Sequence, residues 1–250
     1  MKRLALLLTG VAVLFRSARI DAALAKEAAV EKRTEYVVMI HGLGRTGASM
    51  KRLQWSLEKE GYRVINSSYP SRRLSVQAAA TNWLRELLKS RIPDGCTKVH
   101  FVTHSLGALV LREYLKEHPM PNAGRAVMIA PPNKGSELAD LLESNRLFKA
   151  LTGPAGQQLG TGAMSLPKQL GPARIDLGVI AGDGSCNPLS SVWIAGRHDG
   201  KVSVQNARLE GMKDFLVVHR THTWIMWDKK VNRAVARFLE TGRFAQDPGM

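Results

Sequence analysis

The segment 99–107 constrains this chain more than any other. Val99-His100-Phe101-Val102-Thr103-His104 reads as an extended, mostly apolar run. Ser105-Leu106-Gly107 turns it at once into a stretch with Ala108, Leu111 and Leu115 at helical spacing. A strand that is apolar on both faces needs cover on both sides, and a helix that follows it directly provides one of those covers. A serine at such a turn is held clear of the backbone, the presentation that a weak hydroxyl nucleophile requires. Gly107 lets the helix approach the strand closely. The pattern departs from G-x-S-x-G in one place, because Thr103 stands where the first glycine would be and its branched side chain is expected to crowd the turn.

The same alternation extends along the chain. Strands are predicted over 36–42, 62–69, 98–103, 125–130, 177–181, 192–195 and 215–218. Helices are predicted over 49–59, 75–91 and 106–118, with a last helix that places Val231, Val235, Phe238 and Leu239 on one face and ends before Gly242. Strands separated by helices predict an α/β fold with a mostly parallel central sheet and helices on both faces, and ligands in such sheets bind beyond the carboxyl ends of the strands. With 250 residues, 44% of them hydrophobic, the chain can bury one sizeable core, so residues 26–250 are read as a single domain. The alternation lapses between Pro132 and Pro172, where 137–151 has a helical pattern. Segment 133–172 is read either as a small cap over the site or as a long surface loop with one packed helix.

Three further segments end predicted strands with chemically useful residues. In Met39-Ile40-His41-Gly42-Leu43-Gly44, the strand end leaves a backbone N–H free, so the amides of Leu43 and Leu106 together form a candidate oxyanion hole. Gly196-Arg197-His198-Asp199-Gly200-Lys201-Val202 supplies an acid, and Val218-His219-Arg220-Thr221-His222-Thr223-Trp224 supplies a base. Ser105, Asp199 and His222 then follow in the chain order of a nucleophile, an orienting acid and a general base. Each role has a rival. Asp183 also follows a strand, but Asp199 is nearer His222 in sequence and sits in an Asp-Gly-x-Val turn. His219 belongs to the strand end, whereas His222 lies in the loop that must reach the serine. His41 is expected to brace its loop, and His104 and His198 to be hydrogen-bonding neighbours.

These four segments resemble the α/β-hydrolase superfamily, and more closely its bacterial lipase and esterase branch, over residues 36–244. The resemblance implies hydrolysis of small-molecule or lipid acyl esters through an acyl-enzyme, with no cofactor and no metal. The same triad serves thioesterases and acyltransferases, while a serine at the elbow argues against dehalogenases and epoxide hydrolases, which place a carboxylate there. A non-catalytic binding protein on this fold is the reading that the Thr103 departure favours. Ala130-Pro131-Pro132-Asn133-Lys134-Gly135-Ser136 resembles the segment that borders the acyl pocket of small lipase-like hydrolases.

At the N-terminus, Lys2-Arg3, an apolar run over 4–15 and Ala23-Leu24-Ala25 follow the order of a secretory signal peptide, so residues 1–25 are read as a leader cleaved after Ala25 and the protein as secreted or held in the cell envelope. Arg16 and Arg19 leave open an uncleaved anchor or an N-terminal helix. These 25 residues carry Lys2, Arg3, Arg16 and Arg19 against Asp21, so the remainder keeps +12 of the formal +15. A surface of that charge favours anionic partners such as membrane faces. Nucleic acid is not expected, because the basic pairs are scattered and no aromatic-interleaved stripe accompanies them. Cys96 and Cys186 form at most one bridge, and their placement at opposite ends of the predicted sheet argues against it.

Overall fold

The computed structural model describes residues 35–185 and 190–244; the leader reading for residues 1–25 and any pairing of Cys186 lie outside the described residues. Six parallel strands form one sheet: β1 (Glu35–Ile40), β2 (Arg63–Asn66), β3 (Lys98–His104), β4 (Ala123–Ile129), β5 (Asp176–Gly182) and β6 (Asp214–Val218), in the order β2-β1-β3-β4-β5-β6. The register places Thr103 of β3 between Ile40 of β1 and Met128 of β4. Thr103 is therefore an ordinary extended residue, where β-branching is favoured, and it does not crowd the turn beyond it.

Two apolar cores cover the two faces. One packs α1 (Lys51–Lys59) and the C-terminal α9 (Lys229–Thr241) against Val37, Met39, Val102 and Ile180. The other packs a helical stretch over 76–91, here α2, and α3 (Leu106–Glu117) against Val38, Ile40, Phe101 and Val179. α2 is wound more loosely over Ala79–Leu84, as a π segment between regular turns. α9 begins at Asp228, whose carboxylate accepts from the N–H groups of Lys230 and Val231, and it ends at Gly242 in the left-handed conformation.

Two sequence expectations change. Residues 192–195 form no strand: Ser190–Trp193 is a short helical turn, α7, and β5 pairs directly with β6, so no strand position lies between them. The run is β-branched and aromatic, but Val192 and Trp193 are 69% and 56% exposed while Ile194 is buried, which is not the pattern of a central strand. The helical patch 137–151 is two helices, α4 (Glu137–Leu141) and α5 (Arg146–Gly156), the second capped by the Asn145 side chain accepting from Phe148 N–H. α6 (Leu166–Gln169) follows, and α8 (Val204–Ala207) precedes β6.

Segment 133–172 is anchored by Arg112 of α3. Its buried guanidinium donates to the carbonyls of Asn133, Pro167 and Gly171, each at 2.8 Å. Burial pulls its pKa down to about 10.

Candidate active site

Everything predicted for the site meets at the carboxyl ends of the strands. β3 ends at His104, and Ser105 takes φ 52° and ψ −122° before α3 starts at Leu106. A left-handed φ is uncommon outside glycine and costs of order 1–3 kcal/mol, so the surroundings must hold it. Ser105 N–H donates to Ile129 O at 3.0 Å, and Gly107 lies so close to β1 that a Cβ there would stand 2.3 Å from the Ile40 carbonyl oxygen. The close approach inferred from Gly107 is thus present in the packing.

Ser105, His222 and Asp199 form one hydrogen-bonded chain. His222 Nε2 is 2.9 Å from Ser105 Oγ, and His222 Nδ1 is 2.7 Å from Asp199 Oδ2. Asp199 Oδ1 accepts from the backbone N–H of Lys201 at 3.0 Å and of Val202 at 2.9 Å, and His222 N–H donates to Asp199 O. The carboxylate is buried and accepts three hydrogen bonds, which fixes both the tautomer and the plane of the imidazole. Such a chain can lift a proton from a hydroxyl and return it to a leaving group.

The rivals sit elsewhere, with each other. Asp183, at the end of β5, accepts from Arg197 Nε at 2.9 Å and lies 3.1 Å from Nδ1 of His219, whose side chain is 85% exposed. Burial pushes the Asp183 carboxyl up, but hydrogen bonds from Arg197 and His219 outweigh it and hold the group below the usual carboxylate range. This is a surface ion cluster outside the Ser105 chain.

The remaining histidines are braces. His41 Nδ1–H donates to Gly42 O at 2.9 Å, its Nε2 accepts from Tyr69 N–H at 3.1 Å, and the two rings stack at 4.4 Å. His104, a residue that sequence reasoning left as a neighbour, has a more defined place: its Nε2 is 3.0 Å from the backbone carbonyl of His222. It is fully enclosed, and burial pulls its pKa well below the usual histidine value. A neutral ring that donates from Nε2 ties the elbow to the loop of the base. His198 accepts from Gly200 N–H at 3.1 Å through Nδ1.

Gly42-Leu43-Gly44-Arg45 closes a turn through Arg45 N–H to Gly42 O at 3.2 Å, with Gly44 at φ 66° where only glycine is comfortable. The Leu43 N–H is outside the turn's own hydrogen bond. Leu106 opens α3, where the first N–H groups have no intrahelical acceptor. A cavity of about 240 Å³ runs between these loops and reaches both Ser105 and His222. Its apolar wall comes from Pro132 and from segment 133–172 through Leu138, Phe148, Leu151 and Leu159, so α4 and α5 lie over the serine.

The alpha/beta hydrolase family model matches residues 37–245. The chain belongs to that family. No curated protein matches it in sequence. Solved structures share the fold at low identity. A lipase from Bacillus licheniformis, in its mature form, aligns with a TM-score of 0.64 and 22% identity over 82% of this chain and 91% of its own. A metagenomic carboxyl esterase gives 0.60 and 20% over 75% and 64%. A bromoperoxidase from Bacillus anthracis gives 0.59 and 16% over 82% and 92%. As an alpha/beta hydrolase with a parallel central sheet, the chain has the fold class its sequence predicts, with one strand fewer among the described residues.

Proposed function

We propose that this hydrolase cleaves carboxylic esters through an acyl-enzyme, with Ser105 as nucleophile, His222 as general base and Asp199 as the orienting acid. The observation that carries the reading is the unbroken chain from Ser105 Oγ through His222 to Asp199 on a left-handed elbow. His222 Nε2 takes the hydroxyl proton as Oγ attacks the ester carbonyl, and the carbonyl electron pair moves onto oxygen between the N–H groups of Leu43 and Leu106. Each such donor contributes roughly 3 kcal/mol to the transition state. His222 then protonates the departing alcohol. Water, deprotonated by the same nitrogen, attacks the acyl carbon and releases the acid and Ser105. Asp199 keeps Nδ1 protonated and stabilises the imidazolium throughout. The apolar wall suits an acyl chain, so lipid-like esters are the first substrates to try.

The test is covalent labelling with a fluorophosphonate, mapped by mass spectrometry. Label confined to Ser105 and absent from Ser105→Ala is the expected result; a folded protein that takes no label at Ser105 overturns the reading. A chain-length series of matched esters and thioesters, with an alcohol acceptor present in one arm, separates esterase from thioesterase and acyltransferase.

We also propose a secreted or envelope location through residues 1–25, checked by N-terminal sequencing of the exported protein. Affinity for anionic membrane faces belongs to the same proposal. It is supported by the exposed Trp55 and Trp227, each with a cation over its ring, Lys51 at 5.9 Å and Arg52 at 5.7 Å. Sedimentation with anionic but not zwitterionic vesicles is the expected outcome.

A further inference from the structure

The cavity above Ser105 is one-sided in its charge. Arg45, Arg72 and Lys201 line it, and no aspartate or glutamate does. Four basic residues outside the cavity do have carboxylate partners: Lys98 with Glu35, Arg197 with Asp183, Lys213 with Asp176, Arg220 with Asp228. Among the described residues, Arg45, Arg72 and Lys201 have no carboxylate within ion-pair distance. Asp199 is near Lys201, but its oxygens are occupied by His222 and two backbone N–H groups.

The three cations line the same cavity as Ser105 and His222. The Arg72 guanidinium rests on the turn that carries Leu43, so that a Cβ on Gly44 would meet its Nε and Nη2 at 2.9 Å. Arg45 is the next residue of that turn. Lys201 follows Asp199 by two positions and is an exposed residue whose side chain reaches the cavity. Arg45 and Lys201 both bear electrostatically on the enclosed His104 beside Ser105. Gathering like charges without counterions is unfavourable by itself. In a cleft with low-dielectric walls it concentrates the field and draws anions in.

We propose that this site takes esters that carry an anionic group, a phosphate or a carboxylate, held among Arg45, Arg72 and Lys201 while the acyl chain lies along Leu138, Phe148 and Leu151. The inference rests on the ester hydrolase reading above and names the substrate class for it. The anion sits on the alcohol side of the scissile bond. Charge-assisted hydrogen bonds are about twice as strong as neutral ones, and the Arg pair adds planar donors suited to either oxyanion.

The experiment compares kcat/KM, below any aggregation concentration, for three hexanoyl esters: of glycerol, of glycerol 3-phosphate and of glyceric acid. At low ionic strength at least one anionic ester is turned over about tenfold better than the neutral one, and added salt erodes the advantage. The larger of the two advantages identifies phosphate or carboxylate as the group recognised. In the Arg45→Gln/Lys201→Gln double variant the anionic-to-neutral ratio falls to near one. Arg72→Gln, on an exposed side chain, lowers it independently. Lys89→Gln, on α2 outside the cavity wall, keeps the wild-type ratio. Equal turnover of all three esters by a protein whose Ser105 takes the fluorophosphonate overturns the anion site and leaves the hydrolase reading standing. So does a preference that survives in both the double variant and Arg72→Gln. No turnover together with no label at Ser105 overturns both.

Discussion

Gly107→Ala tests how closely the position of Ser105 depends on the packing of α3 against β1. The new Cβ would stand 2.3 Å from the Ile40 carbonyl oxygen, 2.9 Å from its carbon and 3.1 Å from the His41 carbonyl oxygen, where ordinary contact begins at 3.4 Å. All three are backbone atoms of Ile40 and His41, so no side chain can rotate away. Relief needs the start of α3 to move by about 1 Å, a shift of the kind that costs ~1–3 kcal/mol in a packed interior. Ser105 is two residues away and moves with it, stretching the 2.9 Å contact to His222 beyond hydrogen-bonding length. A displacement of that size at a reacting centre costs about 100-fold in rate. The assay pairs urea unfolding with the second-order rate of fluorophosphonate labelling. The expected result is a stability loss of ~1–3 kcal/mol and a labelling rate down about 100-fold, with the circular dichroism of the native fold kept. Labelling within twofold of wild type, or unchanged stability, would refute the claim that this contact sets the elbow.

Asp199→Asn should lower kcat by about 10⁴-fold by releasing the His222 tautomer, while Asp183→Asn, in the surface cluster, should change it less than about threefold; the reverse ranking would exchange their roles. The pH dependence of stability follows from His41, His100 and His104, all buried with pKa values pulled down from 6.5, burial being the first cause in each case. The unfolded chain therefore binds protons first as pH falls, so their contribution is intact above pH 6.5 and is lost below it, at up to about 1.4 kcal/mol per pH unit for each. His104→Gln should flatten that slope by one such increment, read from urea midpoints between pH 7 and 5.5. Arg112→Met should destabilise the fold by roughly 3 kcal/mol and open segment 133–172 to limited proteolysis ahead of the sheet, which mass spectrometry of the fragments would show.

The central strands were legible because a parallel strand covered on both faces has to be an apolar run, as 36–40 and 99–103 are. The hydrogen-bonded chain of Ser105, His222 and Asp199 was legible because its members cluster where strands end. The run 192–195 misled because four apolar residues have no period, and burial, which only the fold reveals, separates Ile194 from its exposed neighbours Val192 and Trp193. The split of 137–151 had a signal, Asn145 as a helix cap, that apolar spacing alone obscured. Arg112 and the Arg45, Arg72 and Lys201 group left no trace in the sequence, since their partners, or lack of them, come from distant segments.

The left-handed backbone at Ser105 sets the interests of folding and of chemistry against each other. Glycine would relax that backbone, so Ser105→Gly should unfold at a higher temperature than the wild type while losing all turnover. Threonine, branched at Cβ, would deepen the strain and is closed as a replacement nucleophile, whereas cysteine keeps the same branching and remains open. A lineage released from the need for catalysis would thus gain stability at this one position by drifting away from serine. Its presence in this chain marks a residue that folding alone would not select.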